Sequence, residues 1–354
     1  MKKTYRVFPF LIFATAIATV VTAQDVAFSQ YYDQPFQRNP ALAGIFTGDV
    51  RAIASFRNQW QSVTVPYRTF GLSGELKMPM DAIVGDNLTI GLQLIGDVAG
   101  TSRYRTNQVM PAINYSLPLS QQSNSYLSLG FMGGLREQSF DPAMLVLNDQ
   151  VVTGPNGTFS ISPASSQVFG KTTNRNFDLS AGLSYNGAIQ NVDYYIGAGM
   201  FHITSPQIGY FDQYKVSLHK KLAVNFGLAA PLGEEDQLRV YGDYFTQYND
   251  KYQRIGINSI QAGLMFNHNL YFFGDEQKSV TLGALYRFQD AIIPVIKLEL
   301  IKLAVGVSYD VNISKLRSAS YSRGGFEFTL SYRGFLNYRN SDLRQTSCPR
   351  FGRG

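Results

Sequence analysis

Long apolar runs are scarce in this chain. Beyond residue 21 no stretch approaches 18 consecutive apolar residues, which excludes a membrane-spanning helix in the body of the protein. Charge is scarce as well. Asp, Glu, Lys and Arg make up 16% of the 354 residues, against about 25% in an ordinary soluble domain. A single cysteine, Cys348, excludes an intramolecular disulfide. The only histidines, His202, His219 and His268, lie far apart in sequence, so no zinc site, other metal or cofactor is expected. No GxSxG, HExxH or Walker A pattern occurs, and the paired acids Glu234 and Glu235 read as a solvated turn. No catalytic residues are assigned, and no enzymatic role is expected.

What the chain does have is aromatic residues, at 14%, and an apolar leader. Lys2, Lys3 and Arg6 precede the run Phe8 to Val21, and Ala23 offers a small residue at a cleavage position. This is the pattern of a secretory signal peptide over residues 1–23, cleaved after Ala23; the alternative is an N-terminal anchor, for which the run is short. Removing 23 residues leaves 331 (354 − 23). It lowers the net charge from +6 to +3, because the leader carries three basic and no acidic residues. The basic balance is therefore partly the leader's and gives no case for nucleic acid as a partner.

An exported chain poor in charge, rich in Tyr and Phe and without apolar helices points to a transmembrane β-barrel in the outer membrane, bathed in lipid. Alternation supports this. In 324–335, Phe326, Phe328, Leu330 and Tyr332 share one face while Glu327, Thr329, Ser331 and Arg333 share the other. In 301–313, Leu303, Val305, Val307 and Tyr309 oppose Ala304, Gly306, Ser308 and Asp310. Such segments are expected at 49–59, 67–78, 87–97, 103–116, 125–138, 173–186, 192–202, 214–229, 237–247, 252–267, 277–288, 291–299, 301–313 and 324–335. That makes an all-β, antiparallel barrel of about 14 strands. Pro294 is expected at a strand start or a bulge. The inward residues read as small, with Gly, Ser and Thr predominating and no charged rows. A soluble β-sandwich or β-helix is the competing fold, but its strands are shorter and its open face is charged.

The resulting organisation is a signal peptide at 1–23, an N-terminal segment at 24–47, the barrel at 48–335 and a tail at 336–354. An even strand count puts both termini in the periplasm. The long connection 139–172, rich in Gly, Ser, Asn and Pro, then falls outside, and turns such as 233–236 fall inside. The segment after the leader, QDVAFSQYYDQPFQRNPALAG, is either a plug within the barrel or a flexible leader. As a plug, Gln34 and Asn39 would bond lumen side chains while Tyr31, Tyr32 and Phe36 fill space. Pro35 and Pro40 disfavour a continuous helix or strand there.

Several segments together carry a family resemblance. FSQYYDQPFQRNPALAG (28–44), FRNQWQSVTVPYRTFGLSGEL (56–76), DVAG (97–100), SLGFMGGLREQSFDPAMLVLNDQ (128–150), YYIGAGMFHITSPQIGYF (194–211), RGGFEFTLSYRG (323–334) and CPRF (348–351) run in order along the chain. The sequence resembles the PorP/SprF proteins of Bacteroidota, which are associated with type IX secretion. Its low-complexity stretch at 150–171 departs from that pattern. The resemblance implies export or surface anchoring of a large adhesin through its C-terminal domain, a place in gliding motility, and contact with periplasmic ring or peptidoglycan-associated proteins. A transport channel for small or hydrophobic solutes is the alternative.

Arg57, Trp60, Tyr67 and Arg68 combine the residue types of interface hot spots and are candidates for binding a partner. Equally, Trp60 and Tyr67 fit an interfacial girdle, and the arginines fit the lumen. His202 and Pro206 form the His-x-x-x-Pro element that resembles the family's. Cys348, Pro349, Arg350 and Phe351 are candidates for a periplasmic contact.

Overall fold

The computed structural model describes residues 25–336 and Phe351, except 62–64, 81, 121–123, 155–157, 163–164, 168, 211–215, 250, 272–276 and 316. The leader, Gln24, Cys348, Pro349 and Arg350 lie outside the described residues. Fourteen strands close into one antiparallel barrel. They are β1 (Val50–Gln59), β2 (Tyr67–Pro79), β3 (Asn87–Ala99), β4 (Tyr104–Ser120), β5 (Ser125–Ser139), β8 (Thr173–Ile189), β9 (Val192–Phe201), β10 (Lys220–Pro231), β11 (Asp236–Tyr248), β12 (Arg254–Tyr271), β13 (Gln277–Arg287), β14 (Ala291–Leu300), β15 (Leu303–Asn312) and β16 (Arg323–Gly334). Two short strands, β6 (Val151–Thr153) and β7 (Phe159–Ile161), form a separate hairpin within the long connection. Closure occurs at β1: Val50 pairs with Leu76 on one side and with Gly334 on the other.

Period-2 alternation decides which side faces lipid. On β14, Ala291, Ile293 and Val295 are buried while Ile292, Ile296 and Leu298 are exposed. Phe70, Leu72, Ile90, Leu92, Phe131, Leu183, Phe226, Leu264, Leu282, Phe328 and Leu330 continue the exposed apolar band around the wall. Such a belt would be an aggregation surface in water and is the lipid-facing surface in a membrane. No helix among the described residues is long and apolar enough to cross a membrane, so the crossing is made by strands.

Two expectations are corrected. Pro294 lies inside β14, not at its start, and there is no bulge: Ile292 pairs with Val311 and Val295 with Ser308 in one register. Ile293 and Pro294 between them have no partner on β15, because proline offers no N–H to the ladder. The strand expected from 214 begins only at Lys220. The preceding residues instead fold back on the connection, with Gln207 bridged to Ser217 and the Leu218 N–H donating to the Pro206 carbonyl at 2.9 Å.

The strands begin and end at one mouth, called here the terminal mouth. The long connections 140–172 and 202–219 lie at the opposite, loop mouth. Residues 25–49 do not stay at the terminal mouth. They are largely buried and line the inside of the wall, so the core of this protein sits between the wall and this inner segment. Phe36 and Ala43 pack there with Met110, Ala112, Met132, Phe201 and Ala223.

Candidate functional site

The inner segment is broken into three short turns, Tyr31–Asp33, Pro35–Arg38 and Pro40–Leu42. Proline opens the second and third, where its fixed φ fits a first helical position and its missing N–H costs nothing. The Asn39 side chain accepts from the Ala41 N–H at 2.9 Å and so starts the last turn. A broken backbone leaves many polar groups that must find partners away from water. The wall supplies them from one mouth to the other.

At the loop mouth, Asp25 accepts from Lys221 Nζ at 2.6 Å, meets His202 Nε2 at 2.9 Å and has Arg136 Nη1 at 3.4 Å. The other ring nitrogen of His202 meets Asp178 Oδ2 at 2.6 Å. Next, Arg57 donates to the Ala27 carbonyl and pairs with Asp310 at 2.6 Å. Both backbone N–H groups of Ser29 and Gln30 donate to the Glu327 carboxylate, at 2.5 and 2.9 Å. Midway, Lys297 pairs with Asp33 at 2.8 Å and Gln34 donates to Ser55 at 2.7 Å. Arg38 makes a two-pronged pair with Asp243. Lower down, Asn39 donates to the Leu183 carbonyl at 3.1 Å, Ser184 to that of Ala41 at 2.8 Å, and Asn114 to that of Ala43 at 2.6 Å. At the terminal mouth, the Gly44 N–H donates to Glu75 at 2.8 Å and Lys77 donates to the Phe46 carbonyl at 2.8 Å.

The wall gives way where the segment presses closest. A side chain at Gly130 would begin 2.5 Å from the Ala41 nitrogen, one at Gly71 2.7 Å from the Phe28 ring, and one at Gly182 would overlap the Asn39 amide. Gly71, Gly130 and Gly182 are therefore the imprint of the inner segment. Its first described residue, Asp25, lies at the loop mouth, opposite the mouth where β1 starts.

The interior is also more charged than expected. The alternation in the segments read from sequence is correct, yet Glu75, Lys77, Arg136, Asp178, Asp243, Lys297, Asp310 and Glu327 all project inward and are buried. Each buried charge must be paired, since the cost of leaving water is otherwise several kcal/mol, roughly. The partners come largely from the inner segment or from the adjoining wall.

Of the candidate residues, Tyr31, Gln34, Phe36 and Asn39 are buried against the wall, and Tyr32 stacks on Tyr241 with ring centroids 5.4 Å apart. Arg57 is 3% exposed and holds the inner segment, so it does not present itself to an outside partner. Tyr67 and Arg68 stay exposed, opposite Gln59 and Asn58 at the loop-mouth rim. Trp60 follows β1 with a left-handed φ of 62°, its N–H donating to the Gly324 carbonyl at 2.9 Å. The four are thus divided between lumen and rim. His202 is buried in the Asp25 cluster, and Pro206 is buried in the connection. Phe351 turns into the barrel instead of standing free. Asp25, Arg38, Asp243, Asp310 and Glu327 were not singled out from sequence. For the wall acids the signal was a charge at an inward position of an otherwise small-residue face.

Residues 20–332 match the family of type IX secretion system membrane proteins PorP/SprF. The chain belongs to the PorP/SprF family. Among solved structures it is similar to the toluene transporter TbuX of Ralstonia pickettii, with a TM-score of 0.48 and 8% identity over 85% of this chain and 93% of that one. It is also similar to a FadL homologue of Pseudomonas aeruginosa (TM-score 0.45, 9% identity, 83% and 92% covered). A third is the translocator domain of the autotransporter NalP from Neisseria meningitidis (0.42, 11%, 86% and 96%). No curated protein sequence matches the chain. The PorP/SprF chain is thus a closed membrane β-barrel associated with type IX secretion.

Proposed function

We propose that this protein is a closed outer-membrane platform that holds a large secreted adhesin at the cell surface through the adhesin's C-terminal domain, and is needed for that adhesin's export or attachment. In this reading the inner segment is a plug. The observation that carries it is the row of bonds between residues 25–46 and the wall, from Asp25 at one mouth to Phe46 near the other. A lumen occupied along its length suits a barrel that binds protein better than one that passes solute. The loop mouth faces outward, with Tyr67 and Arg68 at its rim as contacts for the adhesin. The terminal mouth faces the periplasm, where ring or peptidoglycan-associated components of the secretion apparatus would dock. Cleavage after Ala23 would leave one residue before Asp25. Gliding is the use of such an adhesin in a motile cell.

The test is affinity purification of the tagged protein from its native outer membrane in mild detergent, with mass spectrometry of what accompanies it. Stoichiometric recovery of a very large surface protein whose C-terminal domain cross-links to the barrel supports the reading. Recovery of the barrel alone, together with solute-dependent conductance, would replace it with a transport channel for small or hydrophobic solutes.

A further inference from the structure

The inner segment builds a second feature near the terminal mouth. Leu42 and Ile45 of the segment pack with Tyr195 of β9, and Tyr31 packs with Tyr241 of β11, Met265 and Leu285. Between these two apolar clusters lies the Arg38 guanidinium, over the rings of Tyr31, Tyr195 and Tyr241 at 5.4, 5.5 and 5.8 Å. One further aromatic ring completes the group, and it comes from the other end of the chain. Phe351 meets Tyr195 edge-on with centroids 4.8 Å apart and tilts against Tyr241 at 5.6 Å. It packs against both clusters at once and lines a cavity of about 100 Å³ whose rim holds Asp33 paired with Lys297, and Glu299 paired with Arg239 and Arg333.

We propose that this aromatic pocket is a peptide-binding site at the terminal mouth, and that its resident ligand is the chain's own C-terminal tail, inserted through Phe351. The barrel's last strand ends at Gly334, so 16 residues (335–350) precede Phe351. An extended chain spans roughly 3.3 Å per residue, so this connection is long enough to seat the tail and equally to release it. A half-buried ring flanked by two tyrosines has the form of an anchor residue, in which one side chain supplies most of the hold. Because Leu42, Ile45 and Arg38 form part of the pocket, the seat exists only while the inner segment is in place. The two ends of the chain are therefore coupled through one site.

The experiment compares the full chain with a chain ending at Leu336. The probe is a fluorescent peptide of residues 345–354 with Ser in place of Cys348, and binding is read by anisotropy in detergent. The truncated chain should bind this peptide at least tenfold tighter than the full chain does, and a peptide carrying Phe351→Ala should lose that affinity. Equal binding by both chains, or equal binding of both peptides, overturns the proposal. Should truncation prevent folding, judged by loss of the heat-modifiable band on gels, the full chain with Trp60→Phe and Phe351→Trp decides instead. Blue-shifted emission protected from acrylamide is expected, and solvent-like, quenchable emission overturns the proposal.

Discussion

Arg38 of the inner segment holds Asp243 in the middle of β11 through two N–H···O bonds, Nε to Oδ2 at 2.8 Å and Nη2 to Oδ1 at 2.7 Å. Their side chains are 4% and 0% exposed, and Asn225 adds a third donor to the same carboxylate at 3.1 Å. This pair joins the segment to the wall inside the barrel. A planar guanidinium facing a carboxylate in this way fixes orientation as well as distance.

Replacing Arg38 with alanine leaves Asp243 buried and without its main partner. Breaking a buried pair in this way costs about 3–5 kcal/mol, whereas an apolar replacement of both partners is often close to neutral. Arg38→Ala should therefore lower the midpoint of denaturant unfolding in detergent strongly, and Arg38→Met with Asp243→Leu should recover most of the loss. A single variant as stable as the parent would show that the pair does not hold the segment.

The cluster at the loop mouth should respond to pH from both sides. Burial works against an ionised Asp25, but His202, Lys221 and Arg136 outweigh it and hold its pKa well below the ordinary 3.8. Burial also works against a charged His202, yet Asp25 and Asp178 outweigh it and raise its pKa above 6.5. The stabilisation from His202 is complete below its unfolded pKa and is lost as pH rises through the raised folded value. That from Asp25 is complete above its unfolded pKa and is lost as pH falls through the depressed one. Between these limits the inner segment is held most tightly. A spin label at Ala27→Cys, with Cys348→Ser, should gain mobility as pH is raised from 6 to 9. His202→Gln should abolish that dependence. A spectrum unchanged over this range in the parent contradicts a role for this cluster in holding the segment.

The wall glycines give a third handle. A side chain at Gly182 overlaps Asn39, so Gly182→Leu should push the segment off the wall while leaving the lipid-facing surface untouched. Arg38 is buried in the parent and should resist trypsin there. In the variant, cleavage after Arg38 should appear by mass spectrometry at protease levels that spare the parent. Equal resistance of the two proteins would mean that the segment and Gly182 are not in contact.

Asp25 at the loop mouth makes a claim about topology. An epitope placed immediately after Ala23 should be reached by antibody on intact cells, without permeabilisation. Labelling seen only after the outer membrane is breached would put the loop mouth on the periplasmic side.

The wall of this barrel was legible in the sequence because lipid imposes a strict rule. Every second residue over about ten positions must be apolar, and Phe326 to Tyr332 or Leu303 to Tyr309 obey it without interruption. The interior follows no such period. Glu327 and Asp310 looked like single polar residues on a small-residue face. Their weight comes from Arg57 and the Ser29 backbone, which reach them only through closure of the barrel across nearly 300 residues of sequence. Arg38 and Asp243 are separated by 205 positions and carried no local pattern. Pro35 and Pro40 correctly announced a broken backbone, but nothing in the order of residues says that the break is cradled by Gly130 and Gly182. The wall glycines read as room for something, and what fills that room is settled by tertiary contacts.

The central claim is that residues 25–46 close the lumen, and planar-bilayer conductance of the purified full-length protein tests it most directly. A barrel of 14 strands occupied along its length should show no steady ohmic current at low voltage near neutral pH. A persistent conductance with the ion dependence of an open aqueous pore would contradict the account.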